Sequence, residues 1–355
     1  MAASVALILV VILVPFIGVV NGKKEELEGC DLYNGRWLYD SSYPLYNSSQ
    51  CSFIEFEFDC QQNGRPDDLY LKYRWKPNSC DLPRFSARKF LEKYRNKRII
   101  FVGDSISLNQ WQSLTCMLHS RSPHSEYLLE RVQGVSTFTF LKQNVSLILS
   151  RNALLVDIAH KSWGRVLKLN AIADNDAELW QGSHVLVFNS WHWWLHRGRK
   201  QPWDFVTDGD RLYKDMDRLV AYEKALLTWA QWVNENIDFT KTKVFFQGIS
   251  PTHMNAKFWG NYDGDSCGEE TRPVFGPPHP RKRLPAQVIL ERVIGSMSKR
   301  VHLLNITRLS QHRKDAHPSV YGIPGRHIGM DCSHWCLPGV PDAWNELLIA
   351  ELTRG

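Results

Sequence analysis

Two segments far apart in the chain contain the side chains that acyl transfer through a serine ester requires. Ser105 ends the segment RIIFVGDS, residues 98–105, and His334 ends the segment DCSH, residues 331–334. A serine hydroxyl is a weak nucleophile and needs a neighbouring base. His334 can accept the serine proton, and Asp331 is close enough in sequence to fix the histidine tautomer. The two segments therefore predict a nucleophile, a base and an orienting carboxylate.

The residues around Ser105 predict how this serine is positioned. Ile99 to Val102 is an unbroken β-branched and aromatic run, which is typical of a strand covered on both faces. Gly103 permits a sharp turn, and apolar residues recur at helical spacing from Ile106 onward. Ser105 is therefore expected at the carboxyl end of a parallel strand, where open α/β sheets bind their ligands. Backbone N–H groups at the helix N-terminus can also stabilise an oxyanion.

From about residue 86 the chain alternates between strand and helix patterns, which predicts a three-layer α/β/α fold around a parallel sheet. The predicted strands are Arg98–Val102, Val145–Leu149, His184–Asn189, Lys243–Gln247 and Val301–Ile306. The predicted helices are Ile106–His119, Arg211–Asn236, Pro285–Ser298 and Val340–Leu352. Residues 30–85 show little helical periodicity and are rich in Cys, Tyr, Trp, Asn and Gly. We therefore expect a small disulfide-rich N-terminal lobe, followed by a larger domain over residues 86–355.

The composition is that of a folded protein with a mildly basic balance. The chain has 355 residues, 43% of them hydrophobic, and a formal net charge of +6. This length is enough for a substantial core. A basic protein suits an anionic partner such as a uronate-bearing polysaccharide, although this charge is also ordinary for a secreted protein. The basic residues are dispersed, and Arg281-Lys282-Arg283 is a short run among prolines, so the sequence argues against a nucleic-acid partner.

The N-terminal segment, residues 1–22, is apolar from Val5 to Val20 and contains no Asp, Glu, Lys or Arg. Sixteen residues of helix span about 24 Å, less than the roughly 30 Å core of a bilayer. Small residues near Gly22 suit signal peptidase, whereas including Ala2 to Ser4 lengthens the run towards a membrane span. The segment predicts either a cleaved signal peptide or an uncleaved signal anchor in the membrane. Both deliver the remainder of the chain to the secretory lumen.

Cysteine usage agrees with that compartment, because an even number of cysteines in an oxidising lumen favours disulfides. The 8 cysteines, which we expect to form four bridges, are Cys30, Cys51, Cys60, Cys80, Cys116, Cys267, Cys332 and Cys336. The Cys332 and Cys336 pair could suit a metal, but no second Cys or His pair has zinc-ligand spacing, so we predict no metal site. Potential glycosylation sequons begin at Asn47, Asn144 and Asn305.

Two asparagines are candidate donors to an oxyanion. Asn189 ends a predicted strand, where its amide could bind the tetrahedral oxygen or could belong to an ordinary turn. Asn144 is a second candidate, although it also begins a sequon. The residues alone leave both interpretations of Asn189 open.

A cluster of aromatic and histidine side chains follows Asn189. It contains Trp191, His192, Trp193, Trp194 and His196. The tryptophans could stack on sugar faces or could simply belong to the core, and His192 could contact a substrate. His192, His196 and the more distant His253 are alternative bases, but none has a carboxylate at the spacing found between Asp331 and His334.

Three parts of the sequence resemble the plant trichome birefringence-like family. Residues 103–118, GDSISLNQWQSLTCML, are similar to its GDS block, and residues 331–345, DCSHWCLPGVPDAWN, are similar to its DxxH block. Residues 30–37, CDLYNGRW, followed by YPLY at 43–46 and GRPD at 64–67, resemble its cysteine-rich N-terminal domain. The resemblance covers nearly everything after residue 29. It implies an SGNH-hydrolase-like fold of the PC-esterase group, in which characterised members are cell-wall polysaccharide O-acetyltransferases.

The resemblance also favours particular roles. Asn189 lies where an SGNH-type enzyme places its oxyanion amide, which favours the functional interpretation of this residue. We further hypothesise that Cys60 pairs with Cys336 and Cys267 with Cys332. These bridges would hold the small lobe and a distal loop against the loop that carries His334.

Taken with the resemblance, the sequence predicts a polysaccharide O-acetyltransferase of the Golgi lumen, either a single-pass type II membrane protein or a secreted one. Ser105 would take an acetyl group from a donor, with acetyl-CoA one candidate, and no bound cofactor is expected. A sugar hydroxyl deprotonated by His334 would then attack the ester. Xylan is the first expected acceptor, followed by pectin or another hemicellulose. The alternatives are a polysaccharide acetylesterase and a non-catalytic wall protein that bridges pectin.

Overall fold

The computed structural model of the protein describes residues 27, 29–262, 264, 266–276, 283–322 and 330–354. The predicted signal segment, residues 1–22, lies outside these residues, as do Arg281 and Lys282. Within the described ranges, every helix is too short or too polar to cross a membrane.

The described residues form strands and helices in a mixed order. The strands are β1 (Gly35–Tyr39), β2 (Tyr73–Pro77), β3 (Arg98–Val102), β4 (Tyr127–Val132), β5 (Val135–Phe140), β6 (Val145–Ser150), β7 (Asp157–Lys161), β8 (Gly164–Lys168), β9 (Val185–Phe188), β10 (Phe205–Asp208), β11 (Arg211–Tyr213), β12 (Lys243–Gln247) and β13 (His302–Leu304). The α-helices are α1 (Ala87–Lys93), α2 (Ser105–Ser120), α3 (Asp174–Trp180), α4 (Arg218–Asn236), α5 (Pro285–Ser296), α6 (Thr307–Gln311) and α7 (Val340–Arg354).

The main sheet has seven strands in the order β13-β12-β9-β3-β6-β5-β4. The five strands from β13 to β6 are parallel, and the carboxyl ends of β9, β3 and β6 therefore meet at one edge of the sheet. Ile99 and Phe101 of β3 pack into a core with α1, α2 and α7, whereas Ile100 and Val102 pack into a second core with α4 and α5. Helices cover both faces, which confirms the predicted three-layer α/β/α fold.

The prediction of a parallel sheet was incomplete, because β4 and β5 add an antiparallel hairpin to one edge. Gln133 and Gly134 connect these two strands with φ of 48° and 83°. Positive φ at both central residues is the geometry of a type I′ turn, whose twist suits a two-residue hairpin. Most of β4 is exposed and lacks the apolar alternation that would have predicted a strand.

A second sheet, in the order β11-β10-β8-β7, was not predicted. Its strand β11 occupies the first residues of the predicted helix Arg211–Asn236. The predicted start of that helix was therefore wrong, and α4 begins at Arg218. The Asp217 side chain fixes this start by accepting hydrogen bonds from the N–H groups of Leu219 and Val220 at 3.0 and 3.2 Å. Asp is a favoured residue at such an N-cap.

The N-terminal lobe packs against the larger domain and shares its core. Trp37 of β1 and Phe58 of the lobe belong to the same buried cluster as helix α2. The Trp37 indole also donates to the carbonyl of Leu309 at 2.8 Å. Apolar and polar contacts both cross this boundary, and they hold the lobe against the larger domain.

All eight cysteines form disulfides. The pairs are Cys30–Cys80, Cys51–Cys116, Cys60–Cys336 and Cys267–Cys332. The last two are the pairs hypothesised from the sequence. Cys51–Cys116 ties the lobe to α2, and Cys60–Cys336 ties it to the segment after His334.

Candidate active site

Ser105 is the first residue of α2 and follows a turn that only glycine fits. Gly103 has φ of +154°, and a Cβ at this position would lie 2.4 Å from the carbonyl oxygen of Asn189. The chain after β3 can therefore approach the chain after β9 closely. This approach brings Ser105 and Asn189 to the same edge of the sheet.

Asp104, which precedes the serine, organises the turn as a buried carboxylate. Its Oδ1 accepts hydrogen bonds from Ile106 N at 2.9 Å and from Asn189 Nδ2 at 2.7 Å. Its Oδ2 accepts from the N–H of His192 at 3.2 Å. Asp104 thus caps α2 and also fixes the segment after β9, so that the Ser105 turn is held from two sides.

Ser105, His334 and Asp331 form a continuous hydrogen-bonded chain. The Ser105 Oγ lies 2.6 Å from His334 Nε2, and His334 Nδ1 lies 2.7 Å from Asp331 Oδ2. When Nδ1 donates to Asp331, the neutral imidazole presents Nε2 to the serine as an acceptor. This is the geometry that allows a histidine to remove a serine proton.

The charges of the pair suit a base and its orienting acid. Burial lowers the pKa of His334, but the hydrogen bond to Asp331 and its negative charge outweigh burial, and the pKa is raised above its ordinary value. Burial alone would raise the pKa of Asp331. The hydrogen bonds and the charge of His334 outweigh burial and hold the pKa of that carboxyl well below its usual range. Asp331 therefore remains ionised and stabilises an imidazolium.

The loop that carries His334 is fixed at several points. Asp331 Oδ1 accepts from the N–H groups of Ser333 and His334, both at 3.0 Å, and the Cys267–Cys332 disulfide lies between the acid and the base. His317 Nδ1 donates to the carbonyl of His334 at 2.5 Å. These contacts restrict the imidazole to one position, as efficient proton transfer requires.

The small lobe contributes to the surroundings of this histidine. The Phe58 ring, which is fully buried, lies 5.5 Å from the His334 ring, centroid to centroid. Phe58 is also fixed by its backbone, since its carbonyl accepts from Leu337 N at 2.8 Å. The lobe therefore shields one side of the base from water.

A cavity of about 300 Å³ adjoins Ser105. This volume is at the lower end of the range of about 300–1,000 Å³ that is typical of ligand pockets. It is lined by the Ser105 turn, by Arg151 and Asn152 after β6, by Asp157 and Ile158 of β7, by Asp176 of α3, and by Trp193. The second sheet, which was not predicted, thus supplies one wall of the cavity beside Ser105.

The two candidate oxyanion donors lie in very different places. Asn189 is buried beside the serine turn, and one N–H of its amide is used by Asp104. Asn144 precedes the first residue of β6, so about 20 Å of strand separates it from the edge that carries Ser105. The prediction of Asn144 as an oxyanion donor was therefore wrong. Asn144 is exposed in a turn, donating to Asn96 Oδ1 at 3.2 Å.

The aromatic cluster after Asn189 divides between core and cavity. Trp194 is fully buried and its indole donates to Ser190 Oγ at 2.9 Å, so the prediction that it contacts substrate was wrong. Trp191 is partly buried against Tyr222, with ring centroids 5.0 Å apart. Trp193 is 36% exposed and lines the cavity beside Ser105. A short 3₁₀ turn, His192–Leu195, produces this division by pointing successive side chains in different directions.

His192 and His253, two of the histidines considered as alternative bases, have other contacts. His192 Nε2 donates to the carbonyl of Ser250 at 2.9 Å. His253, considered above as an alternative base, is buried with its Nδ1 2.6 Å from His317 Nε2. Neither histidine is hydrogen-bonded to Ser105, and both support neighbouring backbone.

Sequence reasoning did not identify Asn152 and Asp176. Asn152 Nδ2 donates to Asp176 Oδ2 at 2.7 Å, and both residues line the cavity. The available signal was position, because Asn152 follows β6, the strand next to β3, as Asn189 follows β9 on the other side. The carboxyl ends of adjacent parallel strands meet at one edge.

The site as a whole is equipped for acyl transfer by its own side chains. It combines an activated hydroxyl, an oriented imidazole, N–H groups at the start of α2 and a cavity open beside them. In the described part of the chain, no three His, Cys, Asp or Glu side chains are arranged to hold a metal ion.

The chain matches two protein families that divide it near residue 81. Residues 82–351 match the GDSL/SGNH-like acyl-esterase family found in Pmr5 and Cas1p, and residues 28–81 match the PMR5 N-terminal domain. The first match contains Ser105, Asp331 and His334. The second covers most of the small lobe.

Several curated proteins of Arabidopsis thaliana are similar over almost their full length. Protein trichome birefringence-like 41 is 52% identical over 98% of this chain and 95% of its own length. Protein trichome birefringence-like 43 is 53% identical over 91% of this chain and 88% of its own. For protein trichome birefringence-like 38 the identity is 51%, over 94% and 87%. The similarity therefore covers both the small lobe and the larger domain.

Proposed function

This chain belongs to the trichome birefringence-like family, and we propose that it transfers acetyl groups to a plant cell-wall polysaccharide through an ester on Ser105. The family and its acyl-esterase domain support an acyl-modifying enzyme. The observation that carries the proposal is the hydrogen-bonded chain from Ser105 Oγ through His334 to Asp331, with distances of 2.6 and 2.7 Å.

In the first half-reaction, Ser105 Oγ attacks the acetyl carbonyl of the donor while His334 Nε2 takes the hydroxyl proton. The tetrahedral oxyanion accepts hydrogen bonds from N–H groups at the start of α2 and from the Asn189 amide. His334 then returns the proton to the leaving group, and the acetyl group remains on Ser105. We take acetyl-CoA as the first donor to test.

In the second half-reaction, a sugar hydroxyl replaces the donor. His334 takes its proton, the sugar oxygen attacks the acetyl carbonyl, and the serine oxygen leaves with that proton. The cavity beside Ser105 can hold the acceptor, and positioning of this kind is equivalent to about 10⁵ M or more of free alcohol. Such positioning is what would favour transfer over hydrolysis.

The acceptor we place first is xylan, with pectin second, and the compartment is the Golgi lumen. The order of acceptors rests on the family resemblance alone. The disulfides support an oxidising lumen as the compartment. The potential glycosylation sites Asn47 and Asn144 are exposed, as attachment of a glycan requires. A cleaved or uncleaved N-terminal signal would direct the chain there.

The test is the fate of an isotopically labelled acetyl group in the presence of oligosaccharides. We expect most of the label on xylan oligosaccharides at saturating acceptor, and none with Ser105→Ala. Label that appears almost entirely as free acetate, with xylan and pectin fragments alike, would make the protein an acetylesterase. Binding of pectin by a protein that forms no acetyl ester would instead favour the non-catalytic wall protein.

A further inference from the structure

The cavity beside Ser105 contains a positive charge that the described residues do not neutralise. Arg151 is exposed, lines the cavity and has no ion pair or side-chain hydrogen bond to any other described residue. Arg151 follows the last residue of β6, and the register of β6 with β3 places it level with Gly103. Arg151 therefore lies at the same edge of the sheet as Ser105 and lines the cavity beside it.

The acidic residues of the same cavity all have other partners. Asp157 forms an ion pair with Lys168 at 2.9 Å, and Asp176 accepts from Asn152 at 2.7 Å. Burial also raises the pKa of Asp176 above its ordinary value. Asp104 is occupied by three N–H donors. Arg151 thus remains as the charge available to a ligand.

An exposed aromatic ring lines the same cavity as Arg151, and further cations follow that ring in the sequence. Trp193 lines the cavity, and its ring lies 5.5 Å from that of His196. The segment that follows contains Arg197, Arg199 and Lys200, which are exposed and form no ion pairs with the described residues. Burial lowers the pKa of His196, and the positive charge of Lys200 lowers it further.

These residues suit one chemical group in particular. A guanidinium binds a carboxylate through two parallel hydrogen bonds, and an indole face packs on the C–H surface of a sugar ring. We propose that the acceptor carries a uronate, whose carboxylate binds Arg151 while an adjoining sugar stacks on Trp193. This inference rests on the proposed function and narrows its acceptor to acidic polysaccharides, such as glucuronate-bearing xylan or galacturonan.

The inference can be tested by binding, without any turnover. The probes are acidic oligosaccharides and the same oligosaccharides after reduction of their carboxyl groups, titrated into Ser105→Ala protein. We expect the acidic form to bind about tenfold or more tightly, and Arg151→Gln to remove that preference. Arg151→Lys should restore only part of it, because a lysine lacks the planar fork. Arg121→Gln is the matched control, since Arg121 is exposed at the far end of α2.

Two results would overturn the inference. One is equal binding of the acidic and reduced oligosaccharides by the protein that retains Arg151. The other is a higher KM for the acetyl donor, and for no other substrate, when Arg151→Gln is introduced into protein that retains Ser105. That result would assign Arg151 to an anionic group of the donor. Failure of the proposed function is separate, because it would appear as absent acetyl transfer whether or not acidic oligosaccharides bind.

Discussion

Cys60 and Cys336 form a disulfide that joins the N-terminal lobe to the chain two residues after His334. Phe58 of the same lobe segment lies against the His334 ring. The lobe is therefore connected to the loop of His334, the proposed base, by a covalent bond and by packing. A contribution to catalysis, in addition to stability, is expected from this arrangement.

The Cys60→Ser, Cys336→Ser double variant should lose both stability and activity. Removing a native disulfide typically costs about 2–5 kcal/mol, and release of the lobe should let the His334 loop move. The measurements are the Tm and kcat of folded protein. The matched control is Cys30→Ser with Cys80→Ser, a bridge within the lobe, which should lower Tm and leave kcat nearly unchanged. Equal kcat values in the two variants would show that the bridge to His334 serves stability alone.

Activity should fall as the pH is lowered through the pKa of His334, because only the neutral imidazole can accept a proton from Ser105. Asp331 raises this pKa, so the midpoint should lie above the ordinary histidine value of about 6.5. Asp331→Asn should move the midpoint to lower pH and reduce kcat by about 10³–10⁴. The profile of kcat/KM against pH for a chromogenic acetyl ester measures both effects. An unchanged midpoint in Asp331→Asn would exclude this role for the carboxylate.

Asn189→Ala should reduce kcat by about 10²–10³ if its amide stabilises the oxyanion. The substitution also removes the hydrogen bond to Asp104, so thermal unfolding must show that the variant is folded. Asn144→Ala provides the comparison. Asn144 precedes β6 at the end of the strand that is far from Ser105, so this substitution should leave kcat unaltered. A folded Asn189 variant with the original kcat would leave oxyanion stabilisation to the backbone N–H groups.

Two buried acids should make the protein more stable at mildly acidic pH. Burial raises the pKa of Glu346 to about 7 and that of Asp342 to about 6. Because the folded-state values exceed those of the unfolded chain, near 4, this stability is complete below about pH 4 and is lost as the pH rises towards 7. Tyr43 of the lobe donates a hydrogen bond to Glu346 at 2.9 Å. The contact between the lobe and α7 should therefore depend on pH in the same way.

Glu346→Gln should flatten that dependence, since glutamine keeps an acceptor for Tyr43 and cannot ionise. The variant should melt at a higher temperature than the parent protein at pH 8, and the difference should shrink at pH 5. Glu235→Gln, at an exposed position of α4, is the control and should change neither value. A Tm difference that is the same at both pH values would contradict burial of an ionisable Glu346.

The structure around Ser105 was predictable because its sequence signals are local. The run from Ile99 to Val102 and the helical spacing after Ile106 lie within twenty residues of Ser105 and agree with each other. In the structure, β3 spans Arg98–Val102 and α2 spans Ser105–Ser120, close to the predicted bounds. Such agreement between local patterns is what makes an element readable from sequence.

The cavity was not predictable in the same way. Asn152 and Asp176 meet across the end of the sheet, and neither has a distinctive neighbour in sequence. Trp193 and Trp194 are adjacent, yet Trp194 is in the core because Trp203 and Tyr222, from distant segments, pack around it. Contacts of this kind depend on tertiary packing, which periodicity does not describe.

Mass spectrometry of the quenched enzyme tests most directly whether an acetyl group passes through Ser105. Protein incubated with acetyl donor and digested should show one acetyl ester, on the peptide that contains Ser105. The ester should disappear on addition of oligosaccharide, with acetylated sugar appearing at the same rate, and it should not form in His334→Ala. A folded Ser105→Ala protein that still transfers acetyl groups at the original rate would contradict the claim.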